Sequence, residues 1–117
     1  MSSPKRLHLN PSGDVTVVTF TDSKIIHEGE IQELGQELFD LVERDGLKKI
    51  VLNFARVEFL SSAALGKLIS FEKKARNQQA QLILTNIRPE IYEVFAITKL
   101  TKLFKIKDDE ADALAVL

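Results

Sequence analysis

Two adjacent hydroxyls, Ser61 and Ser62, stand where a β-type run, Val57-Glu58-Phe59-Leu60, gives way to the helical pattern that opens with Ala63-Ala64-Leu65-Gly66. A serine at such a junction can cap the helix, its oxygen accepting a hydrogen bond from a backbone N–H that otherwise lacks a partner. The same helix end carries free N–H donors and partial positive charge, which suits a phosphate group. The junction therefore admits two roles, a structural cap and a modifiable hydroxyl.

Nucleophilic catalysis by either serine would need a base within reach. The chain has two histidines, His8 and His27. No G-x-S-x-G elbow surrounds the serines, and a hydrolase or acyl transferase built on Ser62 and His27 has no visible oxyanion-hole motif or group to orient the base. His8 falls on an expected edge strand and His27 at an expected helix start, both solvent-facing positions by default. The absence of cysteine excludes a disulfide framework, a thiolate nucleophile and thiolate metal sites. The five glycines are isolated, so neither a Walker loop nor a G-x-G-x-x-G turn is present. No His/Asp/Glu cluster has metal-ligand spacing, and no cofactor is expected. Nothing here argues for an enzyme.

A net charge of -1 gives no electrostatic case for nucleic acid or an anionic membrane surface. No apolar run approaches the roughly 18 residues of a membrane span. The polar start, Met1-Ser2-Ser3-Pro4-Lys5-Arg6, lacks the apolar core of a secretory signal, so the cytoplasm is the expected compartment.

The elements that must position the serines follow from periodicity. Arg6–Leu9 and Val15–Phe20 predict a β-hairpin around the turn formers Asn10-Pro11-Ser12-Gly13-Asp14. From Glu28 to Arg44 the residues Ile31, Leu34, Leu38, Leu41 and Val42 recur at helical spacing. Lys48–Phe54 and Gln81–Ile87 read as buried strands. The helix between them, Ser62–Gln78, turns Leu65, Leu68, Ile69 and Phe71 inward and leaves Glu72, Lys73, Lys74 and Arg76 to solvent. Pro89 opens a third helix, with Ile91, Val94 and Phe95 inward up to about Leu100. A short strand over Leu103–Ile106 and a C-terminal helix capped by Asp108 or Asp109, running through Ala111, Leu114 and Leu117, complete the chain. Residues 1–117 make one domain with a disordered tail over 1–5. Its class is α/β: a mixed sheet of four to five strands, about four helices and an N-terminal hairpin. A phospho-acceptor receiver domain would need acids at its strand ends, where this chain has Asn53-Phe54 and Thr85-Asn86.

With these residues in place, the chain resembles the STAS domain family, specifically bacterial anti-sigma factor antagonists. The similarity runs from about Val15 to Leu117. It rests on Ile50-Val51-Leu52-Asn53-Phe54, on Phe59-Leu60-Ser61-Ser62-Ala63-Ala64-Leu65-Gly66, and on Leu82-Ile83-Leu84 with Ile87-Arg88-Pro89-Glu90-Ile91, Val94-Phe95, Thr98-Lys99-Leu100 and Leu103-Phe104. The family's junction reads roughly Asp-Ser-(Ser/Thr)-Gly-Leu-Gly, the serine after the Asp being the phosphorylation site. In an ungapped register Leu65-Gly66 match, Ser62 takes the acceptor position, and Ser61, Ala63 and Ala64 replace Asp, the second hydroxyl and Gly. His27 falls where the family has an Asp beside the phosphosite.

The resemblance implies a regulatory module that binds an anti-sigma factor which is also a serine kinase of the histidine-kinase-like ATPase type. Phosphorylation of Ser62, with Ser61 as second choice, would break that complex, and a serine phosphatase would restore it. The implied partner surface comprises Ser23, Lys24, His27, Glu28, Glu58, Ser61, Ser62, Ala63 and Lys67. An unswitched scaffold, or an accessory subunit of a stress-signalling assembly or a transporter, is the alternative.

Overall fold

The computed structural model describes residues 6–117; the tail expected over 1–5 lies outside them. The elements are β1 (Leu7–Ser12), β2 (Val15–Phe20), β3 (Lys24–Ile25), α1 (Glu28–Glu43), β4 (Lys49–Asn53), β5 (Phe59–Leu60), α2 (Ser62–Asn77), β6 (Gln81–Thr85), α3 (Pro89–Ile97), β7 (Lys105–Lys107) and α4 (Glu110–Val116). A 3-10 turn at Leu100–Lys102 links α3 to β7. Five strands form the main sheet in the order β1-β2-β4-β6-β7, and β3 pairs with β5 in a separate ribbon. Only β1 is antiparallel to its neighbour; β2, β4, β6 and β7 run parallel.

The chain steps across the parallel strands in one direction, so right-handed crossovers put α1, α2 and α3 on the same face. That face holds the large core: Ile31, Leu34, Leu38, Leu41 and Val42 of α1, Leu68 and Phe71 of α2, Ile91 and Phe95 of α3, all against Val18, Phe20, Ile50, Leu52 and Leu84. Phe54 links the layers, its ring centroid 4.8 Å from Phe20 and 6.5 Å from Phe95, which in turn lies 5.6 Å from Phe104. Tilted and edge-on contacts of this kind add to the area the rings bury. Among the described residues the opposite face is covered by α4 and the Leu117 that follows it, with Ala113 and Leu117 packed on Val15, Val17, Val51 and Ile83. Asp109 caps α4, its carboxylate accepting from the Asp112 N–H at 2.9 Å.

Several expectations need correction. The hairpin turn is tighter than its composition suggests: β1 continues through Asn10, Pro11 and Ser12, and Gly13 at φ +64° with Asp14 reverses the chain. Pro11 is tolerated because β1 is the sheet's edge, where a missing N–H costs no ladder bond. Val94 is exposed, since only Ile91 and Phe95 of the nine-residue α3 face the sheet. The last strand begins two residues later than expected, after the 3-10 turn that Lys99 initiates in the left-handed region at φ +64°. In α4 the inward residue is Ala113, and Leu114 is exposed.

Glu72 is the largest departure. It is buried at 7% exposure, with its carboxylate 2.7 Å from Arg76 Nη2. Burial pushes its pKa up, and the charge and hydrogen bond of Arg76 pull it back only in part.

Candidate functional site

The junction is built from the core outward. Phe54 and Val57 are fully buried, and the Val57 N–H donates to the Phe54 carbonyl at 2.9 Å. The Asn53 side-chain oxygen accepts from the Ala55 N–H at 2.8 Å, closing the same turn. This tight reversal anchors the chain at both ends and sends Glu58 and Phe59 to the surface. There the Ser23 carbonyl accepts from the N–H groups of Glu58 (2.7 Å) and Phe59 (3.1 Å), and the Ile25 carbonyl from that of Ser61 (3.0 Å). The ribbon is parallel, with Ile25 opposite Leu60. Each of its strands leads into a helix, α1 after His27 and α2 after Ser61. The two packed helices therefore begin side by side.

The two serines have separate roles in this geometry. Ser61 is the N-cap, in extended backbone, and its Oγ accepts from the Ala64 N–H at 3.2 Å. Ser62 is the first helical residue, exposed, and its hydroxyl has no hydrogen-bond partner among the described residues. His27 occupies the N-cap position of α1, but its exposed side chain caps nothing.

The remaining predicted residues cluster around this pair. Ser23 is half-buried and supplies the carbonyl that holds β5. Lys24 is exposed, its ammonium 5.6 Å from the centre of the Phe59 ring. Glu28 accepts from Gln32 Nε2 at 2.9 Å within α1, and Glu58 and Ala63 are exposed. Lys67 is half-buried where α1 and α2 meet. A Cβ placed on Gly35 would lie 2.9 Å from Lys67 Cδ, so the missing side chain of Gly35 makes room for the lysine stem. The β3–β5 ribbon thus brings the 23–28 and 58–63 segments together, with Lys67 further along the helix seam.

Ser62 and His27 are not joined by a hydrogen bond. The groove of about 400 Å³ lined by Glu72, Arg76, Gln81, Lys102 and Lys105 includes the starting residues of β6 and β7, at the other end of the parallel strands. The nucleophile–base arrangement is therefore not formed in this structure.

Two apolar residues inside the 23–28 and 58–63 segments are not among the individual site residues expected from the sequence. Phe59 is 56% exposed and Ile26 is 46% exposed, next to their inward-facing neighbours Leu60 and Ile25. Ile25-Ile26 and Phe59-Leu60 are adjacent apolar pairs. In an extended ribbon successive side chains point to opposite sides, so only one of each pair can go in. The signal was available once β3 and β5 were recognised as strands.

Residues 10–113 match the STAS domain. The chain belongs to the STAS domain family. Among curated proteins this STAS domain is 28% identical over 91 residues to BtrV of Bordetella bronchiseptica, provisionally named an anti-sigma factor antagonist, with 78% of each chain covered. It is similar in fold to an anti-sigma factor antagonist from Mycobacterium paratuberculosis, with a TM-score of 0.80, 24% identity and 94% and 91% of the two chains covered. The Bacillus cell fate determinant SpoIIAA, in its phosphorylated form, superposes with a TM-score of 0.71 at 16% identity, covering 95% and 99%. Among the described residues no helix is long and apolar enough to cross a membrane.

Proposed function

We propose that this STAS domain is an anti-sigma factor antagonist, a regulatory module that binds an anti-sigma factor and is switched off by phosphorylation of Ser62. The observation that carries the reading is the division of labour at the junction. Ser61 takes the cap, which leaves the Ser62 hydroxyl exposed and without a hydrogen-bond partner among the described residues. The family match and the relative named as an anti-sigma factor antagonist support the binding role, and the phosphorylated state described for SpoIIAA supports the switch.

In this reading the partner covers Ile26 and Phe59 together with Ser23, Lys24, His27, Glu28, Glu58, Ser61, Ser62, Ala63 and Lys67. The partner is an anti-sigma factor with serine-kinase activity of the histidine-kinase-like ATPase type, and a serine phosphatase resets the state. A phosphate adds a charge of about -1.5 to -2 and a hydrated group beside exposed apolar side chains. The domain tolerates the phosphate because it sits over the α2 N-terminus, so the cost falls on the interface.

The test is incubation with a histidine-kinase-like anti-sigma factor and ATP, followed by mass spectrometry of the peptide containing Ser61 and Ser62. Phosphate on Ser62 is expected, together with loss of the complex. If a control antagonist is labelled and Ser62 is not, the switch is refuted. Equal partner affinity for Ser62→Ala and Ser62→Asp would favour the unswitched scaffold, towards which the replacement of the family's two acids by Ser61 and His27 already points.

A further inference from the structure

Arg6, the residue before β1, makes more ionic contacts than any other described side chain, and they reach both sides of β3, to Asp22 before it and to Glu30 and Glu33 in α1 after it. Its Nη1 lies 3.0 Å from Asp22 Oδ2 and 3.8 Å from Glu30 Oε2, and its Nη2 is 2.8 Å from Glu33 Oε1. Nε donates to that same Glu33 oxygen at 3.0 Å. The Arg6 amide donates to both Glu37 carboxylate oxygens, at 3.0 and 2.9 Å, and the Leu7 amide adds a bond of 3.2 Å. The Arg6 carbonyl accepts from the Thr21 N–H at 2.9 Å.

Glu30, Glu33 and Glu37 are spaced i, i+3, i+7 and share one face of α1. Among the described residues no other cation pairs with Asp22, Glu30 or Glu33. Glu30 Oε1 is buried without a hydrogen-bond partner, and among the described residues the only cation paired with this carboxylate is the guanidinium of Arg6. Asp22 and Glu30 bracket the segment holding Ser23, Lys24, His27 and Glu28. The Ser23 carbonyl, just before the two-residue strand β3, accepts from Glu58 and Phe59, and the Ile25 carbonyl within β3 accepts from Ser61. A ribbon that short has little stability of its own.

We infer that Arg6 is a positioning residue for the partner surface. One guanidinium ties Asp22, before β3, to Glu30 and Glu33 in α1, and so holds both ends of the 22–30 segment while β3 stays paired with β5. Calling the held surface a partner site rests on the proposed function; the clamp itself does not.

Amide hydrogen exchange by NMR on the full chain tests it without a partner. In Arg6→Ala the amides of Glu58, Phe59 and Ser61 should exchange about tenfold faster, while those of β4 and β6 keep their wild-type rates. Asp22→Asn, which frees one end of the segment, should reproduce the pattern. Arg6→Lys, which keeps the charge but cannot fork between two acids, should fall between Arg6→Ala and wild type. Unchanged exchange at Glu58, Phe59 and Ser61 overturns the inference. So does acceleration in step with β4 and β6, which would mean general destabilisation. Local acceleration in a domain whose Ser62 accepts no phosphate would leave the clamp standing and remove the switch.

Discussion

Replacing the two serines one at a time separates their roles. Ser61 Oγ accepts one hydrogen bond, from the Ala64 N–H at 3.2 Å. Loss of a serine N-cap typically costs about 1 kcal/mol, and this bond lies at the long end of the normal range. For Ser61→Ala we therefore take about 0.5–1 kcal/mol. At about 2.1 cal/mol/K per residue, the unfolding entropy of the 117-residue chain converts 1 kcal/mol into about 4 °C. Ser61→Ala should lower Tm by about 2–4 °C. Ser62 is exposed and its hydroxyl has no hydrogen-bond partner among the described residues, so Ser62→Ala should stay within about 0.5 kcal/mol, or about 2 °C. Phosphate incorporation should follow the opposite order, abolished in Ser62→Ala and retained in Ser61→Ala. Ser61→Asp restores the family's residue, caps as well as serine and adds a favourable charge at a helix N-terminus, so it should match or exceed wild-type stability. Thermal melts and intact-mass spectra of the four proteins decide the matter. A larger loss of stability in Ser62→Ala than in Ser61→Ala, or phosphate found on Ser61, would refute the assignment.

Two further expectations concern the helices behind the site. Burial raises the pKa of Glu72 in the folded chain. Between the ordinary glutamate value and that raised value the folded state holds the proton more firmly than the unfolded state, so this group's contribution to stability falls as pH rises through that window. Glu72→Gln removes the dependence, and its Tm relative to wild type should improve from about pH 4 to about pH 7; melting curves that stay parallel across this range would contradict it. At Gly35 the nearest atoms to an added methyl group belong to the flexible stem of Lys67, and a glycine-to-alanine change inside a helix gains about 0.5–1 kcal/mol. Gly35→Ala should raise Tm by a few degrees and shift the side-chain NMR signals of Lys67, whereas a fall of several degrees would mean that Lys67 cannot move.

Much of the architecture was legible because periodicity and crossover rules act locally. The five inward residues of α1 are all buried, and the alternation of buried strand and amphipathic helix yields the parallel sheet. What stayed hidden depends on how wide each element is when it meets its neighbours. Val94 lies one residue from Phe95, yet a nine-residue helix on the flank of the sheet has room for only Ile91 and Phe95 inward. Glu72 belongs to a run of charges, and only its place between Phe71 and Ala75 on the packed side of α2 takes it from solvent. Val57–Leu60 reads as a β-type run, but with two residues in each strand of the β3–β5 ribbon no periodic signal marks β3 or pairs it with β5. The sequence pointed to the serines of the site, but the ribbon that joins the site's halves, and the exposure of Ile26 and Phe59 that follows from it, needed coordinates.

That exposed pair bears on what the missing acids mean for the proposed switch. Covering a large apolar side chain such as Phe59 or Ile26 is worth about 1.5–3 kcal/mol each. A phosphate on Ser62 would have to shed much of its hydration in the same interface, and desolvating a charged group without a matching partner costs more than such a contact supplies. The consequence of phosphorylation therefore depends on the closeness of Ser62 to the apolar pair, fixed by β5 and the start of α2, and needs no carboxylate at position 61 or 27. Acids at those positions would act at an earlier step, when a kinase orients the serine hydroxyl and its ATP. On this reading Ser61→Asp and His27→Asp change how fast Ser62 is phosphorylated and leave the affinity lost on phosphorylation nearly the same. Single-turnover labelling and partner titration of the phosphorylated and unphosphorylated variants measure the two quantities separately. A variant that alters the affinity loss but not the labelling rate would place the acids' role in the interface and overturn the argument.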